Sequence, residues 1–276
     1  MIPIKTKEEI EVMAKGGHLL KKAINEISLL LKEGIETIEL ENKANEIIKE
    51  LGQKPSFKGE NSFPFSLCVS INEEIVHGLP SKRKLKKSDI VTLDFGIFFK
   101  LEKFLGKDFD KEKYPNLLNG FHTDMARTFF IGEIDQETKR LLTVTRKMLR
   151  LGIKKVKPGR TIGDLGETMQ RYAERQGFSV VKGLCGHGIG KDLHEAPDIP
   201  NYGKRHTGAE LIPGMVFCIE PMLSMGSDDI KLSKNNFTFT TKDNSLSAHF
   251  EDMVAVTENG VRILTLCKGP RTYCAL

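Results

Sequence analysis

The sequence has no tryptophan and only four tyrosines, and no apolar run approaches the roughly 18 residues a membrane-spanning helix needs. It also lacks the apolar core of a secretory signal, because its opening stretch, MIPIKTKEEIEVMAKGG, mixes charged and apolar residues within a few positions. Cysteine is sparse: Cys68, Cys185, Cys218, Cys267 and Cys274 are odd in number and show no CxxC spacing. That pattern argues against a disulfide framework and for reduced thiols. Long single-sign charge blocks are missing too, so the 29% of charged residues describe a folded chain rather than a disordered one. These absences predict a cytoplasmic protein with no membrane partner.

What is present is enough for one large core. The 276 residues are 39% hydrophobic, and no linker has the length or composition to divide them, so residues 1–276 read as a single domain. Residues 6–31 predict an amphipathic helix, with a capping-box signature at Thr6 and Glu9 and Ile10, Met13, His18, Leu19 and Leu20 at helical spacing. A second helical pattern ends at Leu51-Gly52. FSLCVSI (65–71), DIVTLDFGIFF (89–99) and 121–131 read as strands, 136–155 and 162–176 as helices broken by Pro158-Gly159. From 179 onward strands dominate, closing with a hairpin of 251–257 and 261–266 across Asn259-Gly260. The polar stretch 100–119 reads as a surface insertion between paired strands rather than core.

A faint internal echo accompanies this order. Lys32-Glu33-Gly34, Glu39-Leu40 and Leu51-Gly52 align without gaps on Lys157-Pro158-Gly159, Asp164-Leu165 and Gln176-Gly177. Two helix-helix-sheet halves with a cleft between them are expected, and a site is expected in that cleft.

The informative residues are acids and histidines at costly positions. Asp94 lies inside IVTLDFGIFF, Glu220 inside MVFCIEPML and Glu251 inside LSAHFEDMVAV, while Asp124 precedes ARTFFIG. A carboxylate among apolar neighbours is seldom buried unless it is paired or bound to a cation. One such acid is ordinarily a satisfied salt bridge; four, with His187 in the glycine-framed CGHGIG, point to a metal centre. Four carboxylates and one imidazole form a hard, oxygen-rich donor set suited to Mn, Fe, Co or a catalytic Zn pair. Five ligands are too many for one catalytic ion with open positions and enough for two, the two-metal arrangement used in aminopeptidase hydrolysis.

The chain here resembles the type I methionine aminopeptidases, whose fold is the α+β pita-bread. The resemblance runs from IPIKTKEEIEVMAKGG to about Leu266. It rests on PSFKGENSFPFSLCVSINEEIVHGLP, DIVTLDFG, GFHTDMARTFFIG, CGHGIGKDLHEAP, LIPGMVFCIEPML and SLSAHFEDMVAVTENGVRILT. It implies that Asp94 binds one divalent ion, that Asp124 and Glu251 bridge two, and that His187 and Glu220 complete the second. It places the substrate-side histidines at His77 and His194, makes Glu220 the general base, and lines a methionine pocket with Phe63, Cys68, His77, Leu193 and Phe237. His18, His122, His206 and His249 are expected to be surface or core histidines, with His122 and His249 near enough in sequence to support ligands. The expected activity is removal of the initiator methionine from nascent polypeptides when the second residue is small, by a monomer.

Three positions depart from the commoner family pattern: Glu60 where Tyr is usual, Leu193 for Phe and Phe237 for Trp. The stretch 100–119 is long for the family. The run Lys82, Arg83, Lys84, Lys86, Lys87 reads either as a solvated loop or as a patch that meets ribosomal RNA. Two rival readings share the motifs. An Xaa-Pro peptidase of the same fold would keep the ligands but usually adds an N-terminal domain. A non-enzymatic pita-bread protein that binds RNA or protein typically loses ligands, and here all five are present.

Overall fold

A computed structural model describes residues 1–265; the expectations at Leu266, Cys267 and Cys274 lie outside them. In the first half, helices α1 (Lys7–Ser28) and α2 (Thr37–Leu51) precede strands β1 (Lys54–Pro55), β2 (Leu67–Ile71), β3 (Glu74–Val76), β4 (Ile90–Phe99) and β5 (Phe121–Phe130), with the short helix α3 (Leu101–Leu105) between the last two. The second half repeats the order. Helices α4 (Gln136–Ile153) and α5 (Ile162–Arg175) precede β6 (Ser179–Val180), β7 (Gly186–Gly188), β8 (Glu195–Ile199), β9 (Val216–Ile219) and β10 (Met222–Ser224). The hairpin β11 (Ile230–Leu232) and β12 (Phe239–Thr241) follows, then β13 (Ser247–His249), β14 (Asp252–Thr257) and β15 (Gly260–Ile263).

All named strand pairs are antiparallel. The first half centres on β1-β4-β2 with β5 on the other edge of β4, and the second on β15-β14-β9-β7-β8. Smaller sheets, β13-β10-β6 and β11-β12-β3, join them, β3 crossing from the first half to the second. The helices cover one face of each half, which gives two apolar cores. In β9 the alternation is explicit: Phe217 and Ile219 pack in the α4–α5 core, while Val216 and Cys218 face the other. No helix among the described residues is long and apolar enough to cross a membrane.

The internal echo is a repeated set of backbone devices. Gly34 and Gly159, each in the link between two helices, have φ of +84° and +77°, a left-handed geometry that costs a side-chain-bearing residue. Glu39 and Asp164 are the N3 residues of capping boxes that open α2 and α5. The N-cap residues Glu36 and Thr161 each make an isolated bridge, to Lys84 and Glu210. Gly52 and Gly177 again take positive φ beyond the second helix of each half.

His18 is exposed on α1, a surface histidine as one of its two expected readings allows. Two expectations need correction. Helix α1 ends at Ser28 rather than at 31. The segment 100–119 is not wholly a surface feature: Leu101 and Leu117 are fully buried, and the Phe104 ring lies 4.8 Å from that of Phe99 and 5.7 Å from that of Phe121. Apolar residues spaced among lysines tie the insertion down, a signal the segment's average polarity conceals.

Candidate metal centre

The five candidate ligands come from five separate places in the chain and meet in one cavity of about 640 Å³. Asp94 and Asp124 lie on paired strands, where Asp94 opposes Ala126 and Asp124 opposes Gly96. They are therefore diagonal neighbours on one sheet face. Glu251, at the junction of β13 and β14, donates its backbone N–H to the Ala126 carbonyl at 2.9 Å, which brings it onto the same face. One oxygen from each of Asp94, Asp124 and Glu251 lies within 4.8 Å of the others. Glu220 follows β9 in phase with Cys218 and so points away from α4 and α5.

His187 closes the group, with Nε2 3.7 Å from Glu220 Oε1 and 3.9 Å from Asp124 Oδ2. Its Nδ1 lies 2.9 Å from the Gly188 carbonyl oxygen, which can only accept, so Nδ1 carries the proton and Nε2 offers a lone pair to the carboxylates. All five residues are between 2 and 9% exposed.

The charge balance shows what the cluster suits. Four carboxylates share a buried space whose lining contains no lysine or arginine. Asp94 Oδ1 and Glu251 Oε1 are buried without a hydrogen-bond partner. Burial, with mutual repulsion added, pushes Asp94 up to about 7 and Asp124 and Glu251 well above the carboxylate range; burial pushes Glu220 to about 8. Burial lowers His187 to about 4, so it is a neutral donor at physiological pH. Orphaned oxygens, a neutral imidazole and four carboxyls that cannot all ionise together without a cation fit divalent ions bound by hard donors.

Several supporting residues escape a reading of the sequence. Arg127 donates to the Glu251 carbonyl and, at 2.6 Å, to Asp252, fixing the backbone that carries Glu251. Asn201 Nδ2 donates to the Glu220 carbonyl at 3.0 Å. The buried Cys218 thiol, held protonated by burial, hydrogen-bonds Glu251, and its Sγ lies within 4.8 Å of a His187 ring nitrogen. Only Cys218 left a trace in sequence, two residues before Glu220 on one strand face. His249 Nε2 stands 3.4 Å from Glu220 Oε2, whereas His122 pairs with Ser56 Oγ at 2.9 Å and packs on Phe98.

The apolar side of the cavity contains Phe63, Cys68, His77, Leu193 and Phe237, all five of the expected wall residues, together with Val76, Leu184 and Met222. The Phe63 and Phe237 rings meet edge to face at 5.7 Å. His77 has φ +57°, a strained value for a non-glycine, and its carbonyl accepts from Thr238 Oγ1 at 3.0 Å. Burial holds its imidazole down to about 4. The His194 ring lies 4.4 Å from that of His187 and its Nδ1 3.9 Å from Glu60 Oε1. Glu60 is thus a half-exposed rim residue beside His194.

A curved antiparallel fold in two matching halves, with five hard donors buried between them, is the frame of a metallopeptidase. The chain belongs to metallopeptidase family M24, whose model matches residues 11–102 and 115–258 and skips part of the 100–119 insertion. It is 41% identical over 269 residues to the methionine aminopeptidase of Clostridium acetobutylicum, covering 97% of this chain and all of that one. It is 42% identical over 265 residues to methionine aminopeptidase 1 of Bacillus subtilis, covering 96% and 99%. The crystal structure of the Rickettsia prowazekii methionine aminopeptidase superposes with a TM-score of 0.88 at 35% identity, covering 96% of this chain and 100% of that chain. The Pyrococcus horikoshii prolidase, at 20% identity and a TM-score of 0.71 over 64% of its own length, shares the fold alone.

Proposed function

We propose that this chain removes the N-terminal methionine from polypeptides whose second residue is small, with two divalent ions held by Asp94, Asp124, His187, Glu220 and Glu251. The observation that carries the reading is the buried carboxylate cluster, in a cavity lined by no lysine or arginine, opening onto an apolar wall that suits an unbranched thioether. End-to-end similarity to methionine enzymes at 35–42% identity supports the methionine preference over Xaa-Pro cleavage.

When bound, the ions supply Lewis acidity for a water nucleophile at neutral pH and for a polarised carbonyl. Asp94, Asp124, His187, Glu220 and Glu251 would hold the ions between them. Glu220 takes the proton of the attacking water and returns it to the leaving nitrogen, acting first as base and then as acid. His194 donates to the developing oxyanion, and neutral His77 accepts from the scissile amide N–H. Phe63, Cys68, Leu193 and Phe237 hold the methionine side chain away from water.

The test is hydrolysis of Met-Ala-Ser, Met-Lys-Ser and an Xaa-Pro peptide after metal removal and re-addition of Mn, Co, Fe or Zn. Metal-dependent cleavage of Met-Ala-Ser above both others is expected; faster Xaa-Pro cleavage would overturn the reading.

The nascent chain is the natural substrate, and the 82–87 run is the proposed ribosome contact. Arg83 pairs with Glu74 at 3.1 Å and Lys87 with Glu133 at 3.7 Å, which leaves Lys82, Lys84 and Lys86 for phosphate. Salt-sensitive co-sedimentation with ribosomes should weaken when these three become Glu, and unchanged binding would remove the patch.

A further inference from the structure

His194 has no hydrogen bond to hold its ring among the described residues, and its side chain is half exposed. Its position therefore depends on the backbone loop 189–194, which links Gly188, next to His187, to Glu195. Gly188 and Glu195 are ladder partners, so the loop is closed at its base. Within it, the Gly190 N–H donates to the Asp192 carbonyl at 3.1 Å and the Gly190 carbonyl accepts from His122 N–H at 2.8 Å.

The Ile189 N–H donates to the Val216 carbonyl at 3.2 Å, and a further anchor comes from the other end of the chain. Lys5 Nζ forms an ion pair with Glu195 Oε2, and the two side chains are 1% and 5% exposed. The second oxygen, Glu195 Oε1, accepts from the Asp192 N–H at 3.2 Å. Lys5 is itself held, its backbone N–H donating to the Gly214 carbonyl at 2.8 Å. Its aliphatic stem crosses Gly190 so closely that a Cβ there would lie 2.4 Å from Lys5 Cε and 3.0 Å from Glu195 Oε1. A buried pair of opposite charges is a weak source of stability but a strong constraint on geometry, because either charge left alone is costly.

We propose that Lys5 is a positioning residue for His194: through Glu195 it clamps the turn that presents Leu193 and His194 to the cavity. The clamp rests on the proposed reaction only in what His194 does. Lys5 touches neither substrate nor the candidate ligands, so its loss should loosen the loop, Leu193 included, while sparing the metals and the pocket wall outside the loop, Phe63, Cys68 and Phe237.

The test compares wild type with K5M and with K5M/E195Q, the second leaving no unpaired charge and so guarding against simple misfolding. Three readouts are needed: steady-state kinetics on Met-Ala-Ser, bound metal per chain, and hydrogen exchange at the Asp192 amide. In both variants kcat should fall roughly ten- to a hundredfold with KM within about threefold, as expected when a reacting group is displaced by about 1 Å. Metal content should be unchanged and exchange at Asp192 faster. A folded K5M/E195Q with wild-type kcat and exchange would overturn the clamp, as would a loss of bound metal or a change in KM alone. Failure of the wild type on Met-Ala-Ser would sink the methionine reading, while exchange at Asp192 would still decide on the tether.

Discussion

Glu220 carries two proposed tasks, as ligand and as proton carrier. In the metal-free protein burial pushes its carboxyl up to about 8, and bound cations would favour the ionised form that can accept a proton. Glu220→Gln should lower kcat about 10²–10⁴-fold, the range for a lost general base, while thermal unfolding shows a folded protein; near-normal turnover would refute the assignment. Arg127 acts one step further out, through the Glu251 backbone. Arg127→Met should weaken metal binding roughly 10- to 100-fold, as with other residues that orient ligands, measured by titration of the metal-free protein. Unchanged affinity would show that Glu251 holds its place unaided. At this scale the ligands were legible in sequence because a carboxylate inside a strand of Phe, Val and Ile is conspicuous. Arg127 was not, because its partner lies more than a hundred residues away.

The elements show a different balance. Helices α4 and α5 match their sequence patterns within two residues, and β4 and β5 within one, since period and capping are local properties. The repeat was visible only as short matches, but those matches turn out to be the turns and caps that set each helix pair. Gly34 and Gly159 have open space where a Cβ would sit, so only their positive φ opposes substitution. Gly34→Ala and Gly159→Ala should each destabilise by about 1 kcal/mol, and by similar amounts, in denaturant titrations. A large difference between them would mean that the two halves do not use the turn alike. In the insertion, Leu117→Ala should cost about 2–5 kcal/mol, the range for a fully buried leucine. A negligible cost would return the segment to the surface role its composition suggests.

For the whole molecule the buried titratable groups make stability depend on pH and metal together. His77, His122, His187 and His249 are lowered by burial to about 4 from an ordinary 6.5. The folded state then binds fewer protons than the unfolded one between those values, so stability rises with pH across that window. Asp94, raised to about 7, and Glu220, raised to about 8, act oppositely, because the folded state holds protons the unfolded chain has released. Above about pH 6.5 the histidine contribution is complete and the carboxylates dominate. The metal-free protein should therefore lose thermal stability from about pH 6.5 to 8, and divalent ions should restore it most at the alkaline end. Thermal unfolding at pH 5, 6.5 and 8 with and without metal checks this, and an alkaline limb insensitive to metal would contradict it.

By itself the sequence determined the helices and long strands and the five metal-ligand candidates, because periodicity and a misplaced charge are readable in a few residues; His77 and His194 came from the resemblance of its motifs to a known family. Only the tertiary structure decided which acids meet at one face, that the insertion is anchored by Leu101 and Leu117, and that Glu60 stands beside His194 at the rim. It alone revealed that Lys5 reaches Glu195, a hundred and ninety residues on. Those are distances between remote parts of the chain, set by how two helix-covered sheets close on one another, and no local pattern encodes them.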